Sequence, residues 1–208
     1  MNYAEIKYND IANGIGVRVS LFVSGCTHRC KNCFNAVTWD FDYGMPFTEE
    51  VKEKILAACE ADYISGLSLL GGEPFEPENQ PELLGLLKSF KDRFPNKTVW
   101  CYSGYTYEQI VGQAESRAKT AVAEEMLGLI DVLVDGKFEN DLYSISLRFR
   151  GSSNQRLIDL NKTREKGEIV SWSDEKNQKT TRFVGENSAM GWFSFYIKNS
   201  IFFRRFCA

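Results

Sequence analysis

Apolar residues along the chain gather into short runs separated by polar, glycine-containing breaks, and the runs alternate between two periodicities. Val17-Arg18-Val19-Ser20-Leu21-Phe22-Val23 is rich in β-branched and aromatic side chains and follows Asn13-Gly14-Ile15-Gly16, which predicts a strand entered through a turn. Thr48-Glu49-Glu50-Val51 then offers an N-cap and an acidic first turn. Val51, Ile55 and Ala58 recur at helical spacing, predicting a helix that runs to about residue 62. Gly66-Leu67-Ser68-Leu69-Leu70 predicts a short buried strand ending at Gly71-Gly72-Glu73-Pro74. Leu83, Leu84, Leu86, Leu87 and Phe90 form the apolar face of a second helix, with Pro81 suited to its first turn.

Thr98-Val99-Trp100-Cys101-Tyr102 predicts the next strand, closed by Ser103-Gly104. Residues 107–129 read as one helical stretch with uncertain breaks, and Asp131-Val132-Leu133-Val134-Asp135 as a strand ending at Gly136-Lys137. Past Arg156 the pattern weakens. Glu168-Ile169-Val170-Ser171-Trp172 is a candidate last strand, residues 173–181 are polar and linker-like, and residues 191–208 are dense in aromatics. Strands alternating with helices argue for an α/β fold with a parallel sheet, whose C-terminal strand ends share one edge. The glycine- and cysteine-bearing breaks all follow predicted strands, so they can converge on one pocket.

Composition narrows the classes. With 208 residues and 43% of them hydrophobic, the chain can bury a sizeable core. A formal net charge of −3 argues against a nucleic-acid binder working through bulk electrostatics. Residues 1–7 lack the charged and apolar regions of a secretory signal, so a cytoplasmic, reducing location without membrane contact is expected. Of the six cysteines, Cys59 and Cys101 fall in apolar elements and are expected in the core, while Cys207 has no assigned role.

The other three stand in one loop, Cys26-Thr27-His28-Arg29-Cys30-Lys31-Asn32-Cys33. This C-x3-C-x2-C spacing suits three corners of a metal site, which iron–sulfur clusters and zinc both accept. Zinc would need a fourth ligand. The only histidine, His28, lies between two of the cysteines, where it can hardly close their tetrahedron; it is expected to face solvent or a partner. A cluster held by three cysteines would instead leave one iron open to a small molecule. Gly71 and Gly72 would let main-chain groups approach a ligand closely, and Glu73 offers a carboxylate to an ammonium.

The three-cysteine loop together with Gly71-Gly72-Glu73-Pro74 resembles the radical S-adenosylmethionine superfamily. Asn13-Gly14-Ile15-Gly16-Val17-Arg18, Leu21-Phe22-Val23-Ser24-Gly25-Cys26, Val132-Leu133-Val134-Asp135-Gly136-Lys137-Phe138 and Arg150-Gly151-Ser152-Ser153-Asn154-Gln155 narrow it to glycyl-radical activases that serve anaerobic ribonucleoside-triphosphate reductases. The similarity covers residues 1–172. It implies one [4Fe-4S] cluster per chain on Cys26, Cys30 and Cys33, with S-adenosylmethionine chelating the open iron. It further implies reductive cleavage to a 5′-deoxyadenosyl radical, which takes a hydrogen atom from a glycine of the large reductase subunit. No catalytic group is expected beyond the cluster and S-adenosylmethionine, and the electron would come from a one-electron reductant such as a flavoprotein. Asn32, Cys33 and Phe34 would lie along the nucleoside, Gly71, Gly72 and Glu73 near the methionyl end, and Asp135 and Lys137 against polar groups.

The fold expected from this resemblance is an incomplete barrel of parallel strands, open on one side, because a full eight-unit barrel takes about 250 residues. The rivals are another small radical enzyme, whether a different activase or a tailoring enzyme, and a non-enzymatic zinc- or cluster-binding module. Arg148, Arg150 and Arg156 suit either a docking surface or a pocket wall. The expected division is an activase domain over residues 1–172 and a linker with an aromatic-rich tail over 173–208, dispensable for chemistry, whose role stays open between a cover for apolar surface, a docking element and a membrane-surface segment.

Overall fold

The computed structural model describes residues 1–174, and Met1–Trp172 form one compact unit. The tail expected to begin at residue 173 lies, apart from Ser173 and Asp174, outside the described residues. Among the described residues seven strands make one unclosed sheet in the order β3-β1-β2-β4-β5-β6-β7. The strands are β1 (Asn2–Asp10), β2 (Val17–Val23), β3 (Met45–Pro46), β4 (Ile64–Gly71), β5 (Thr98–Tyr102), β6 (Val132–Asp135) and β7 (Arg156–Asp159). The four central strands, β2, β4, β5 and β6, are mutually parallel. β1, β3 and β7 pair antiparallel at the two edges, so the sheet is mixed where the sequence predicts a parallel one.

Period-2 alternation sorts side chains onto two faces. Val99 and Cys101 of β5, Leu133 of β6 and Ile158 of β7 join the main core. Their neighbours Trp100, Val132, Val134 and Leu157 join a second cluster with Phe149 and Trp172. The main core is completed by helices α1 (Glu49–Ala58), α2 (Gln80–Arg93) and α4 (Ala121–Leu129), through residues such as Ile55, Leu86 and Met126. α1 starts where Thr48 predicts, its hydroxyl accepting from the Val51 amide, but ends at Ala58 rather than near residue 62. The Lys97 ammonium donates to the Cys59 and Ala61 carbonyls at 2.6 and 2.8 Å and takes over from the helical ladder.

The helical stretch predicted over 107–129, whose breaks the sequence leaves open, is two helices. Thr106 and Gln109 form a capping box for the short α3 (Tyr107–Ile110), Gly112 turns the chain at φ +80°, and Thr120 caps α4 afresh. The strand predicted at Glu168–Trp172 is reduced to one bridge, Ser171 to Ile158, beside β7, after the short helix α5 (Leu160–Lys166).

Arg18 of β2 is fully buried and, among the described residues, forms no ion pair with a carboxylate. Its guanidinium donates to Ser68 Oγ (2.7 Å), the Leu67 carbonyl (2.8 Å), Thr98 Oγ1 (3.0 Å), the Thr98 carbonyl (2.7 Å) and the Ile15 carbonyl (3.1 Å). Burial lowers its pKa to about 10, which leaves it charged at neutral pH.

Candidate functional site

At the end of β2 the chain enters the cysteine loop under tight backbone control. The Gly25 amide donates to the Thr38 carbonyl at 2.9 Å, and the Cys26 amide to that of Trp39 at 3.3 Å, so a single 3-10 turn (Ala36–Trp39) braces the loop from behind. Arg29 and Asn32 take left-handed φ values of +48° and +58°, and the Cys33 amide closes onto the Cys30 carbonyl at 3.1 Å. Left-handed residues that are not glycine are uncommon, and two in four positions curl this loop sharply.

The turn after β4 is sewn onto the same loop. The Gly72 amide donates to the Val23 carbonyl (2.7 Å) and the Glu73 amide to that of Gly25 (2.8 Å). A Cβ on Gly72 would lie 2.6 Å from the Gly25 oxygen, and one on Gly71 2.6 Å from the Val23 nitrogen. The need for both glycines is therefore explained by the protein's own backbone.

Glu73, buried, spends its whole carboxylate on protein donors. Oε1 accepts from the Phe75 amide and Ser103 Oγ, both at 2.8 Å; Oε2 takes the Gly104 amide at 2.7 Å and faces His28 Nε2 at 3.1 Å. The carboxylate predicted to meet an ammonium is thus the knot that ties β4, β5 and the cysteine loop together. His28 is corrected too. Its side chain is only 13% exposed, packed against Glu73 and the Tyr105 ring at 4.3 Å, where the sequence suggests an outward-facing residue.

Cys26 and Cys30 are buried and Cys33 partly so. Burial pushes the Cys26 thiol up to about 12, with the Glu73 charge adding to it, while the His28 and Arg29 amides aimed at its sulfur pull the other way. Burial also raises Cys30, opposed by the Lys137 charge and the Phe138 amide. Amides directed at sulfur are what a cluster's thiolates require, since such hydrogen bonds stabilise them once metal has displaced the protons. Among the described residues no three His, Cys, Asp or Glu side chains are drawn close enough for one metal ion. A lone zinc would ask for sulfurs about 3.8 Å apart. The donor set of three thiols with amide support fits an iron–sulfur cluster.

A family model described as a 4Fe-4S single cluster domain matches residues 12–158. Curated proteins named anaerobic ribonucleoside-triphosphate reductase-activating protein are similar along most of their length. The one from Pasteurella multocida is 44% identical over 157 residues, covering 74% of this chain and 95% of the relative. Those from Enterobacteria phage T4 and Escherichia coli K12 are 41% and 40% identical, with 93% and 96% of each relative covered. The chain belongs to the anaerobic ribonucleoside-triphosphate reductase-activating protein family.

The remaining residues predicted from sequence lie on the cysteine loop itself and at the end of β6. Asn32 donates to Asn140 Oδ1 at 3.0 Å, which ties the cysteine loop to the segment after β6. Phe34 is 79% exposed, so packing beneath the loop does not account for it. Asp135 is buried and already engaged, accepting from the Tyr107 amide at 2.7 Å and from Arg156 Nε at 2.9 Å; Lys137 is exposed. Both line a cavity of about 330 Å³ with His28, Gly104 and Asn154. A second cavity, of about 680 Å³, opens beside Cys26 and is walled by Arg29, Val37, Trp39 and Phe41. Arg156 belongs to the first cavity's wall, whereas Arg150 donates to the Gln155 carbonyl and shapes its own loop. Sequence reasoning missed Ser103's bond to Glu73, the Phe138 amide, and Glu76 with Tyr105. Nothing in the run Glu73-Pro74-Phe75-Glu76-Pro77 marks the second glutamate as different from a solvated one.

Proposed function

We propose that this chain holds its [4Fe-4S] cluster on Cys26, Cys30 and Cys33, binds S-adenosylmethionine beside it, and generates the glycyl radical of an anaerobic ribonucleoside-triphosphate reductase. The observation that carries this reading is the three-thiol loop tied through Glu73 to the C-terminal ends of β4 and β5, in a chain whose relatives are named as activators of that reductase. The chemistry supplied by the bound groups is one-electron cleavage of the sulfonium's carbon–sulfur bond, giving methionine and a 5′-deoxyadenosyl radical that removes a hydrogen atom from a glycine.

The chain's own residues bind and orient. The amides of His28, Arg29 and Phe138 steady the thiolates of Cys26 and Cys30. Glu73 holds His28, Ser103 and Gly104 in place rather than meeting the ligand with a free oxygen. Phe34, projecting from the loop beside Asn32 and Cys33, is free to lie against adenine, and Gly71 and Gly72 keep the floor near the methionyl end low. Lys137 offers its ammonium to a carboxylate, while Asp135, fixed by Arg156, turns a charged wall toward the same cavity.

The unclosed sheet supports a partial radical-enzyme barrel, with room on its open side for a loop of the large subunit. A one-electron reductant, a flavoprotein by chemical class, would recharge the cluster in the reducing cytoplasm. Residues 1–172 are the activase unit in this reading, and 173–208 an appendage. The test is anaerobic reconstitution followed by dithionite reduction with S-adenosylmethionine. Formation of 5′-deoxyadenosine, and of a glycyl-radical paramagnetic signal when the large subunit is added, is expected. A brown, iron-loaded protein that produces neither overturns the proposal.

A further inference from the structure

Glu76 is fully buried, and no step of the activation uses its carboxylate. Oε1 accepts from the Thr27 amide at 2.8 Å and from the Thr27 hydroxyl at 2.6 Å, with the Tyr105 hydroxyl at 3.5 Å. Oε2 lies 3.2 Å from Arg117 Nε, close enough for charge attraction although no N–H is aimed at it. Arg117 also donates to Glu78 at 2.6 Å, which holds the guanidinium in place from the solvent side. Thr27 directly follows Cys26. A buried negative charge is therefore fastened one residue from a proposed cluster ligand, with a half-exposed positive charge behind it.

We propose that Glu76 and Arg117 are a positioning pair that fixes the Cys26 end of the cluster loop and sets the reduction potential of the cluster. The inference rests on the cluster lying on Cys26, Cys30 and Cys33. Adding an electron to a cluster costs more beside a buried carboxylate, because charge repulsion is weakly screened away from water; a guanidinium opposing that carboxylate reduces the cost. The two residues thus act on the potential with opposite sign. A purely mechanical clamp gives no such opposition, since loosening the loop from either end would act in one direction.

The experiment compares the parent with Glu76→Gln and Arg117→Ala in the full chain, reconstituted anaerobically. Iron content and visible absorption are measured first, then the midpoint potential by redox titration followed by electron paramagnetic resonance. Gln keeps the shape and can still accept from Thr27, so Glu76→Gln is expected to retain iron and shift the potential upward. Arg117→Ala leaves the carboxylate unopposed and is expected to shift it downward. Loaded variants with the parent's potential, or shifted in the same direction, overturn the proposal. If the buried substitution loses its iron, Arg117→Ala decides alone, because this side chain is 44% exposed and outside the core: a lowered potential supports the pair and an unchanged one sinks it. A parent that takes up no cluster overturns the underlying assignment instead, and the pair with it.

Discussion

Two glycines illustrate how differently a single Cβ is received. On Gly72 it would press on the Gly25 carbonyl, 2.6 Å away, and on the Thr38 carbonyl at 3.0 Å, both backbone atoms that cannot swing aside. Gly72→Val is therefore expected to cost about 1–3 kcal/mol of stability and to loosen the cysteine loop. Thermal unfolding and iron retention after reconstitution check it, and retention equal to the parent's would show that the loop tolerates the push. Gly85 in α2 has nothing within 4 Å of such a Cβ. Gly85→Ala should gain about 0.5–1 kcal/mol from helix propensity alone. The cysteines divide as sharply. Cys26→Ala, Cys30→Ala or Cys33→Ala is expected to abolish stable cluster binding, whereas Cys59→Ala and Cys101→Ala should keep it. Burial raises Cys59 to about 12 and lifts Cys101 well above the ordinary thiol range, so both should resist alkylation in the folded protein. Iron retained in Cys30→Ala and lost in Cys59→Ala would reverse the ligand assignment.

Among the elements, one side chain of β7 ties the strand to α3 and adds to its backbone pairing with β6. Arg156 grips both Glu108 oxygens, at 2.9 and 2.7 Å, and also pairs with Asp135. That hydrogen bonding lowers Glu108 from 4.5 to about 2. A carboxyl whose pKa is lower when folded contributes stability above its unfolded value and loses it as pH falls toward the folded one. The loss should therefore fall between about pH 4.5 and 2. With Glu108 one-third exposed, solvent screening keeps the term at about 1 kcal/mol or less. Acid unfolding of Glu108→Gln should be flatter over that window; a curve superimposable on the parent's would show that the bond contributes nothing. The sequence made β2 and β5 plain because their β-branched and aromatic runs are bounded by turn residues. It concealed β7, whose four residues begin and end in charge, and β1, whose outer positions are polar and exposed. Helical composition ran on past Ile110, and only the second threonine cap at Thr120 signalled a restart. At the site, the cysteines and Gly71-Gly72 were legible as motifs. The commitment of Glu73 to four protein donors was not, because those donors come from three separate stretches of chain.

At the scale of the molecule, Met1–Trp172 is compact by itself. A chain ending at Trp172 is expected to fold, bind the cluster and cleave S-adenosylmethionine. A folded truncation that forms no 5′-deoxyadenosine would move the domain boundary into the tail. The uncompensated Arg18 bears on how this unit assembles. Its acceptors belong to the turn before β2, to β4 and to β5. A partly folded chain with β2 and β4 paired and β5 absent would bury a cation with two of its five hydrogen bonds missing, at about 1–3 kcal/mol for each donor stranded. The three strands therefore form and open as one cooperative unit, and their amides should exchange with solvent deuterium at a single, slowest rate. Replacing Arg18 with Met would uncouple them, letting β5 exchange ahead of its neighbours.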